Sequence, residues 1–184
     1  FYSVLKGRYY ACCIMQSNQI SNKLKNEIYA ECSNIKISFF FEEIIPSLVI
    51  KSEYDFLMEI FDRYYEELLD SDVWSTTTSN ALYLIGLANI NWKNNQISSA
   101  KINLELINLE LVELGYYEYI SLFFYFTKLK ISHTEMDYIE NKFNYLKLLS
   151  LVEKTNFTKF LTLSKTYCLN DKIKFNNVLP NSDS

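Results

Sequence analysis

Turn-forming residues are scarce in this chain: its 184 residues include only 3 glycines and 2 prolines. Average usage of roughly 7% glycine and 5% proline would give about 13 and about 9. A β-sheet protein needs such residues wherever its strands reverse direction. Since 49% of the residues are hydrophobic, one buried core can form. We therefore expect a single all-α domain over residues 1–170 and a polar tail over residues 171–184.

Apolar residues recur at steps of three and four along most of the chain, as they do on one face of a helix. A first helix is expected to reach about Gln16, and a second to run until Pro46 resets the backbone. A third helix opens after Glu53 and carries the clearest amphipathic stripe, from Phe56 to Leu68. The acidic segment 70–72 is expected to end it.

The next part of the sequence is typical of a helical hairpin. A helix that contains Trp92 meets two asparagines, Asn94 and Asn95, at a polar turn. Its partner is expected to run from Ile97 to Leu114 and to be closed by Gly115, because glycine commonly ends helices. Two antiparallel helices joined by a tight turn form such a hairpin.

A second hairpin is expected from helices over 116–131 and 134–151, joined through Ser132 and His133. A last helix is expected over 156–168. Within the first hairpin, Ala88 and Ala100 are twelve residues apart, the step at which tetratricopeptide hairpins place small residues where two helices approach closely. The sequence therefore predicts stacked antiparallel hairpins in a tetratricopeptide-like, right-handed array.

Motifs for catalysis or metal binding are missing from the sequence. The single histidine, His133, is expected in a solvent-exposed turn, and no Glu-x-x-His segment accompanies it. Three scattered glycines cannot form a phosphate loop or a dinucleotide fingerprint. The acidic cluster (Glu66, Glu67, Asp70, Asp72) is interpreted as a solvated helix end, although a metal or acid–base pair is the alternative. We expect no enzyme activity, no cofactor and no metal site.

The four cysteines are Cys12, Cys13, Cys32 and Cys168, and none of their spacings is Cys-x-x-Cys. We expect reduced, buried thiols, and a redox-active role is the alternative. No apolar run reaches the about 18 residues of a membrane span, and no signal peptide opens the chain. These features predict a cytoplasmic protein without a membrane partner.

The formal net charge is −4 and the sequence pI is about 5.1. No overall basic field is therefore available to neutralise DNA phosphates. The chain begins at Phe1, inside an apolar segment, and we expect it to be a piece of a longer protein.

An aromatic run between residues 116 and 126 is denser than one core face requires. Core packing explains most of it, and the remainder is a candidate for a groove or a dimer interface, where tyrosine is favoured. The run comprises Tyr116, Tyr117, Tyr119, Phe123, Phe124, Tyr125 and Phe126.

Several segments resemble the C-terminal domain of Rgg/GadR/MutR-type transcriptional regulators and of related peptide-pheromone receptors. The resemblance is a pattern that spans nearly the whole chain. Its segments are Glu27-Ile28-Tyr29, Asn34-Ile35-Lys36-Ile37, Phe39, Tyr54 to Tyr65, Ser79-Asn80-Ala81, Asn94 to Ala100 and Gly115-Tyr116-Tyr117.

This resemblance implies a tetratricopeptide-like regulatory domain that forms a homodimer and binds a short signalling peptide. Members of the family contact DNA through an N-terminal helix-turn-helix domain, which would be missing from this chain. A helical-repeat scaffold for protein–protein interaction, without a small ligand, is the alternative function.

Four residues on one predicted helix are candidates for the peptide groove. Asn80, Tyr83, Leu87 and Asn91 lie at steps of 0, +3, +7 and +11 and so share one helical stripe. Asparagine donates and accepts hydrogen bonds at once, which suits it to hold the backbone of an extended peptide. The alternative is that Leu87 belongs to the core and that the asparagines are merely exposed.

Overall fold

The computed structural model describes residues 2–33, 37–69, 77–111 and 116–169. Within these ranges the regular structure is helical, with no strand, so the all-α prediction is confirmed. A short 3₁₀ helix, Leu109–Leu111, lies between α6 and α7. The α-helices are α1 Tyr2–Gln16, α2 Asn22–Cys32, α3 Ile37–Lys51, α4 Tyr54–Leu69, α5 Thr77–Lys93, α6 Ile97–Glu105, α7 Tyr117–Thr134, α8 Tyr138–Thr155 and α9 Lys159–Thr166.

Three turns with the same backbone geometry connect α3 to α4, α5 to α6 and α7 to α8. Each contains one residue in the left-handed region, namely Ser52, Asn95 and Met136, with φ of 59, 60 and 57°. In each turn the following amide donates a hydrogen bond to the carbonyl oxygen five residues earlier, at 3.0, 2.8 and 2.9 Å. This pattern is the Schellman motif, which satisfies the last carbonyl groups of a helix.

The first helices of these hairpins are neighbours: α3 contacts α5, and α5 contacts α7. Helix α1 packs against α3, and α9 packs against α7 and α8. Gly7 permits the close approach of α1, since a Cβ atom there would lie 2.7 Å from the carbonyl oxygen of Phe40. Ala88 and Ala100 are fully buried within the α5–α6 hairpin.

The second predicted helix is wrong, because two helices occupy that region and Pro46 lies inside α3. Proline has no N–H to donate to the carbonyl four residues earlier, and this normally breaks a helix. Helix α3 continues because it is among the most apolar segments of the chain. Its residues Phe40, Phe41, Ile44, Ile45, Leu48 and Val49 are all buried.

The α5–α6 turn at Asn94 and Asn95 is confirmed, but the predicted end of α6 at Leu114 is wrong. The helix ends at Glu105. Soon after it, the side chain of Asn108 accepts a hydrogen bond from the amide of Glu110 at 3.0 Å. Such local side-chain bonds compete with helix continuation. Gly115 lies outside the described residues.

The predicted turn at Ser132 and His133 is also wrong, since both residues belong to α7. The turn lies three residues later because Asp137 caps α8, accepting hydrogen bonds from the amides of Ile139 and Glu140. The last helix is shorter than predicted: α9 is Lys159–Thr166.

The predictions for the first and third helices agree with the structure at α1 and at the start of α4. Residues 70–72, where α4 is expected to end, and the tail 171–184 lie outside the described residues. The acidic cluster lies partly there and partly at the end of α4, where the side chains are not described. Of the helices within the described ranges, none combines the length and the apolar character needed to span a bilayer.

Candidate ligand-binding groove and buried lysine

A groove lies between the α5–α6 and α7–α8 hairpins, with a volume of about 320 Å³. We call it the inter-hairpin groove. It is lined by Lys101, Leu104, Glu105, Phe124, Lys128, Ile131, Ser132, Glu135, Asp137 and Glu140.

The groove combines an apolar floor with charged walls. Leu104 and Ile131 are buried and Phe124 is half-buried, so the floor is part of the core. Two ion pairs cross between elements: Lys101 Nζ lies 2.6 Å from Glu135 Oε1, and Lys128 Nζ lies 2.9 Å from Glu140 Oε1. These pairs tie α6 to the α7–α8 turn and α7 to α8.

The charge of the groove is negative overall. It contains four carboxylates and two ammonium groups, which leaves an excess of two negative charges. Glu105 is exposed and makes no ion pair with the described residues. The arrangement therefore suits a ligand that carries apolar groups and a positive charge.

The predicted stripe on α5 does not line this groove. Asn80 is exposed, Leu87 and Asn91 are half-buried, and Tyr83 is only 7% exposed. The ring of Tyr83 packs against Phe61, with 4.6 Å between the ring centroids. The peptide-binding role of these four residues stays a prediction, although burial leaves little of the Tyr83 ring accessible to a ligand.

The aromatic run divides between the core and the surface. Phe123 and Phe126 are almost fully buried, whereas Tyr116 and Tyr117 are 48% and 42% exposed. Phe124 contributes to the inter-hairpin groove. Core packing therefore accounts for most of the run, as the sequence predicted, since Tyr119, Phe124 and Tyr125 also pack against the core.

The core contains a buried lysine, which was not identified from the sequence. Lys130, on α7, has 0% of its surface exposed. Its Nζ atom donates hydrogen bonds to Tyr54 Oη at 2.6 Å and to Asn89 Oδ1 at 2.8 Å. No carboxylate of the described residues lies within ion-pair distance of Nζ.

Four aromatic rings surround the Lys130 amine. The distances from Nζ to the ring centroids are 4.4 Å for Phe126, 5.2 Å for both Tyr54 and Trp92, and 5.9 Å for Tyr167. These residues come from α4, α5, α7 and the segment after α9. Together with Asn89 and Lys130 they form what we call the lysine cage.

Burial shifts the acid–base equilibria of this cage. Desolvation lowers the pKa of Lys130 to about 7. It raises the pKa of Tyr54 and, less strongly, that of Tyr167. The cage therefore favours neutral tyrosines and makes the charged form of the lysine costly.

The polar groups around the cage are satisfied. Asn89 Nδ2 donates to the carbonyl oxygen of Ile85 and to Thr127 Oγ1, both at 2.8 Å.

The spacing of Lys130 in the sequence is a signal that could have indicated its burial. Lys130 lies four residues after Phe126 and seven after Phe123, on the apolar face of α7.

The segment that closes the cage is held by Asn141 and His133. Asn141 Nδ2 donates to the carbonyl oxygen of Tyr167 at 2.9 Å, and Asn141 Oδ1 accepts from the amide of Leu169 at 3.0 Å. His133 Nδ1 lies 3.1 Å from the same carbonyl oxygen. The prediction of a solvent-exposed turn histidine is therefore wrong, since His133 is half-buried in α7.

The cysteines are all free thiols, but only Cys32 is buried, so the expectation of four buried thiols is wrong for the others. Burial raises the pKa of the Cys32 thiol to about 11. Among the described residues, no group of three or more His, Cys, Asp or Glu side chains is arranged to hold a metal ion.

Comparisons of this chain with protein-family models, with curated proteins and with solved structures found no match.

Proposed function

We propose that this domain binds a short peptide in the inter-hairpin groove and serves as the ligand-sensing and dimerisation domain of a bacterial transcriptional regulator. The observation that carries the proposal is the groove itself, in which an apolar floor lies between charged walls. The groove volume of about 320 Å³ lies at the lower end of the range of about 300–1,000 Å³ that is usual for small-molecule pockets.

The regulatory part of the proposal rests on the resemblance to Rgg/GadR/MutR-type regulators. The three equivalent turns, with φ near 60° at their central residues, support a tetratricopeptide-like stack of hairpins, the architecture that the resemblance implies. In this proposal DNA is contacted by a separate N-terminal helix-turn-helix domain, and the protein acts in the cytoplasm. The role of the described domain is binding, not catalysis.

The charge of the groove indicates which peptides to test first. Because its carboxylates outnumber its ammonium groups by two, a peptide with a free amino terminus or a basic side chain is favoured over an acidic one. A bulky apolar side chain would cover Phe124 and Leu104. The proposed ligand is therefore a short cationic peptide with at least one large apolar residue.

A panel of synthetic peptides of about six to nine residues, with cationic, neutral and acidic members, tests this function by thermal unfolding. A peptide at about 100 times its Kd should stabilise the domain by roughly 2.7 kcal/mol. Phe124→Ala should weaken binding about tenfold or more, whereas Ile102→Ala, an exposed residue outside the groove, should not. If no peptide shifts the melting temperature of the folded domain, the proposal is wrong.

The same assay separates the groove from the stripe on α5. Loss of binding in Glu105→Gln and Phe124→Ala supports the groove. Loss only in Asn80→Ala and Asn91→Ala would instead place the peptide along α5. Glu153→Gln, an exposed carboxylate on α8 outside the groove, is the matched charge control.

A second candidate function, a scaffold that binds other proteins, is favoured by an apolar stripe on α8. Ile139, Phe143 and Leu146 follow each other at steps of four and three and are 87%, 47% and 51% exposed. Exposed apolar patches often mark protein interfaces. A domain that ignores the peptides and forms complexes that are lost in Phe143→Ser would support the scaffold.

A further inference from the structure

The lysine cage is separate from the inter-hairpin groove, since none of its residues lines that groove. A buried ammonium without a carboxylate partner is costly, because desolvation penalises its charge. Two hydrogen bonds and four aromatic rings compensate only in part. The cage therefore stores an unfavourable interaction that either loss of the proton or hydration of the amine would relieve.

One wall of the cage can move more easily than the others. Tyr54, Trp92 and Phe126 belong to helices of 16, 17 and 18 residues that pack within the core. Tyr167 follows α9, which has only eight residues, and it is half-buried. Opening a short peripheral helix costs less free energy than separating the central hairpins.

We propose that Lys130 is a proton-sensitive latch for the C-terminal segment 159–169, which docks more tightly when Lys130 loses its proton. In the docked state, Tyr167 covers the neutral amine and Asn141 holds the backbone of the segment. Protonation favours a state in which the segment has moved away and water solvates the ammonium.

The residues around Nζ indicate that Lys130 is the group whose protonation controls the docking of segment 159–169. Among the described residues that face Nζ, α4 contributes one titratable side chain, Tyr54, and the C-terminal segment contributes another, Tyr167. Helix α5 contributes Asn89 and Trp92, and α7 contributes Phe126, none of which titrates. His133 does not contact Nζ but lies against the Tyr167 carbonyl oxygen, so it needs a control of its own.

The sign of the response follows from the two states. When the amine is solvated, its pKa returns to the ordinary value of 10.5. At pH values between the docked-state pKa and 10.5, the amine is protonated in the open state and neutral in the docked state. The opening equilibrium constant of the segment therefore falls by up to about tenfold per pH unit as the pH rises, and it becomes independent of pH below this window.

Hydrogen exchange measured by mass spectrometry on the whole chain, corrected for intrinsic rates, tests the latch between about pH 6 and pH 9. Protection of residues 159–169 should rise with pH while staying below that of α5 and α6, because the segment opens locally without unfolding of the central hairpins. The rise should vanish in Lys130→Met and persist in His133→Asn. Persistence in Lys130→Met, or loss only in His133→Asn, would overturn the proposal.

A second measurement needs no substitution at Lys130. The ¹³Cε chemical shift of Lys130 in the wild-type protein reports its titration directly. The midpoint of this titration should lie several pH units below 10.5. A midpoint near the ordinary value, with segment 159–169 protected throughout, would show that the amine is not desolvated and would refute the latch.

Discussion

Lys130 Nζ lies 2.6 Å from the hydroxyl oxygen of Tyr54, a residue 76 positions earlier in the chain. This contact joins α7 to α4, and it places a titratable amine where no carboxylate in the described part of the chain balances its charge. The stability of the whole fold, and not only of the C-terminal segment, should therefore depend on the protonation of Lys130.

The free energy of unfolding should rise with pH from about 7 to about 9. The folded-state pKa of Lys130 is lowered to about 7, so over this range the unfolded chain binds a proton that the folded state does not. The contribution is up to about 1.4 kcal/mol per pH unit. Urea denaturation of the wild type and of Lys130→Met measures it, and an equal slope in both proteins would contradict the prediction.

At higher pH the stability should fall again. Burial raises the pKa of Cys32 from 9.0 to about 11 and that of Tyr54 above its ordinary 10.0. Such groups stabilise the fold below their unfolded pKa, and this stability is lost as the pH rises through the folded value. Cys32→Ala should shift the start of the decline to higher pH in the same denaturation series, whereas the exposed Cys12→Ala should leave it unchanged.

Gly86→Ala should destabilise the domain, by about 1–3 kcal/mol. A Cβ atom at this position would lie 2.7 Å from Cζ of Phe61, so the ring must shift. Because the obstacle is a side chain, Phe61→Leu should partly relieve it. A double-mutant cycle by chemical denaturation measures this coupling; additive effects would show that the two residues do not clash.

Met136→Gly should stabilise the protein by about 1 kcal/mol. Met136 adopts φ of 57° at the α7–α8 turn, a conformation that costs most residues other than glycine roughly 1–2 kcal/mol. Its side chain is 56% exposed, so little packing is lost. Asn95→Gly should gain less, because asparagine tolerates this conformation better. Equal gains, or a loss at Met136, would argue against the turn geometry.

Asn141→Ala should cost about 2–3 kcal/mol and should loosen the C-terminal segment. The side chain bonds the backbone of Tyr167 and Leu169 and also the carbonyl oxygen of Leu129, and alanine leaves these buried groups without their partner. Lys142→Ala, the next and exposed residue, should change stability by less than about 0.5 kcal/mol. Limited proteolysis together with thermal unfolding distinguishes the two variants.

Local patterns in the sequence were enough to predict the helical class, the extent of α1 and the turn at Asn95. Each of these depends on residues close together in the chain, through apolar periodicity or the backbone preferences of asparagine. The ends of α6 and α7 were missed because a side chain a few residues later, Asn108 or Asp137, competes for the backbone amides. Pro46 was misread because burial of α3 outweighs the hydrogen bond that proline lacks.

The sequence by itself determined an acidic, helical domain without motifs for catalysis. Only the tertiary structure decided where the groove lies and that Lys130 is buried. The groove combines side chains from α6, α7, α8 and the intervening turn, and the lysine cage brings together residues between Tyr54 and Tyr167. Such contacts depend on how helices pack across the core, and periodicity along one helix reports which face is apolar but not which distant side chains it meets.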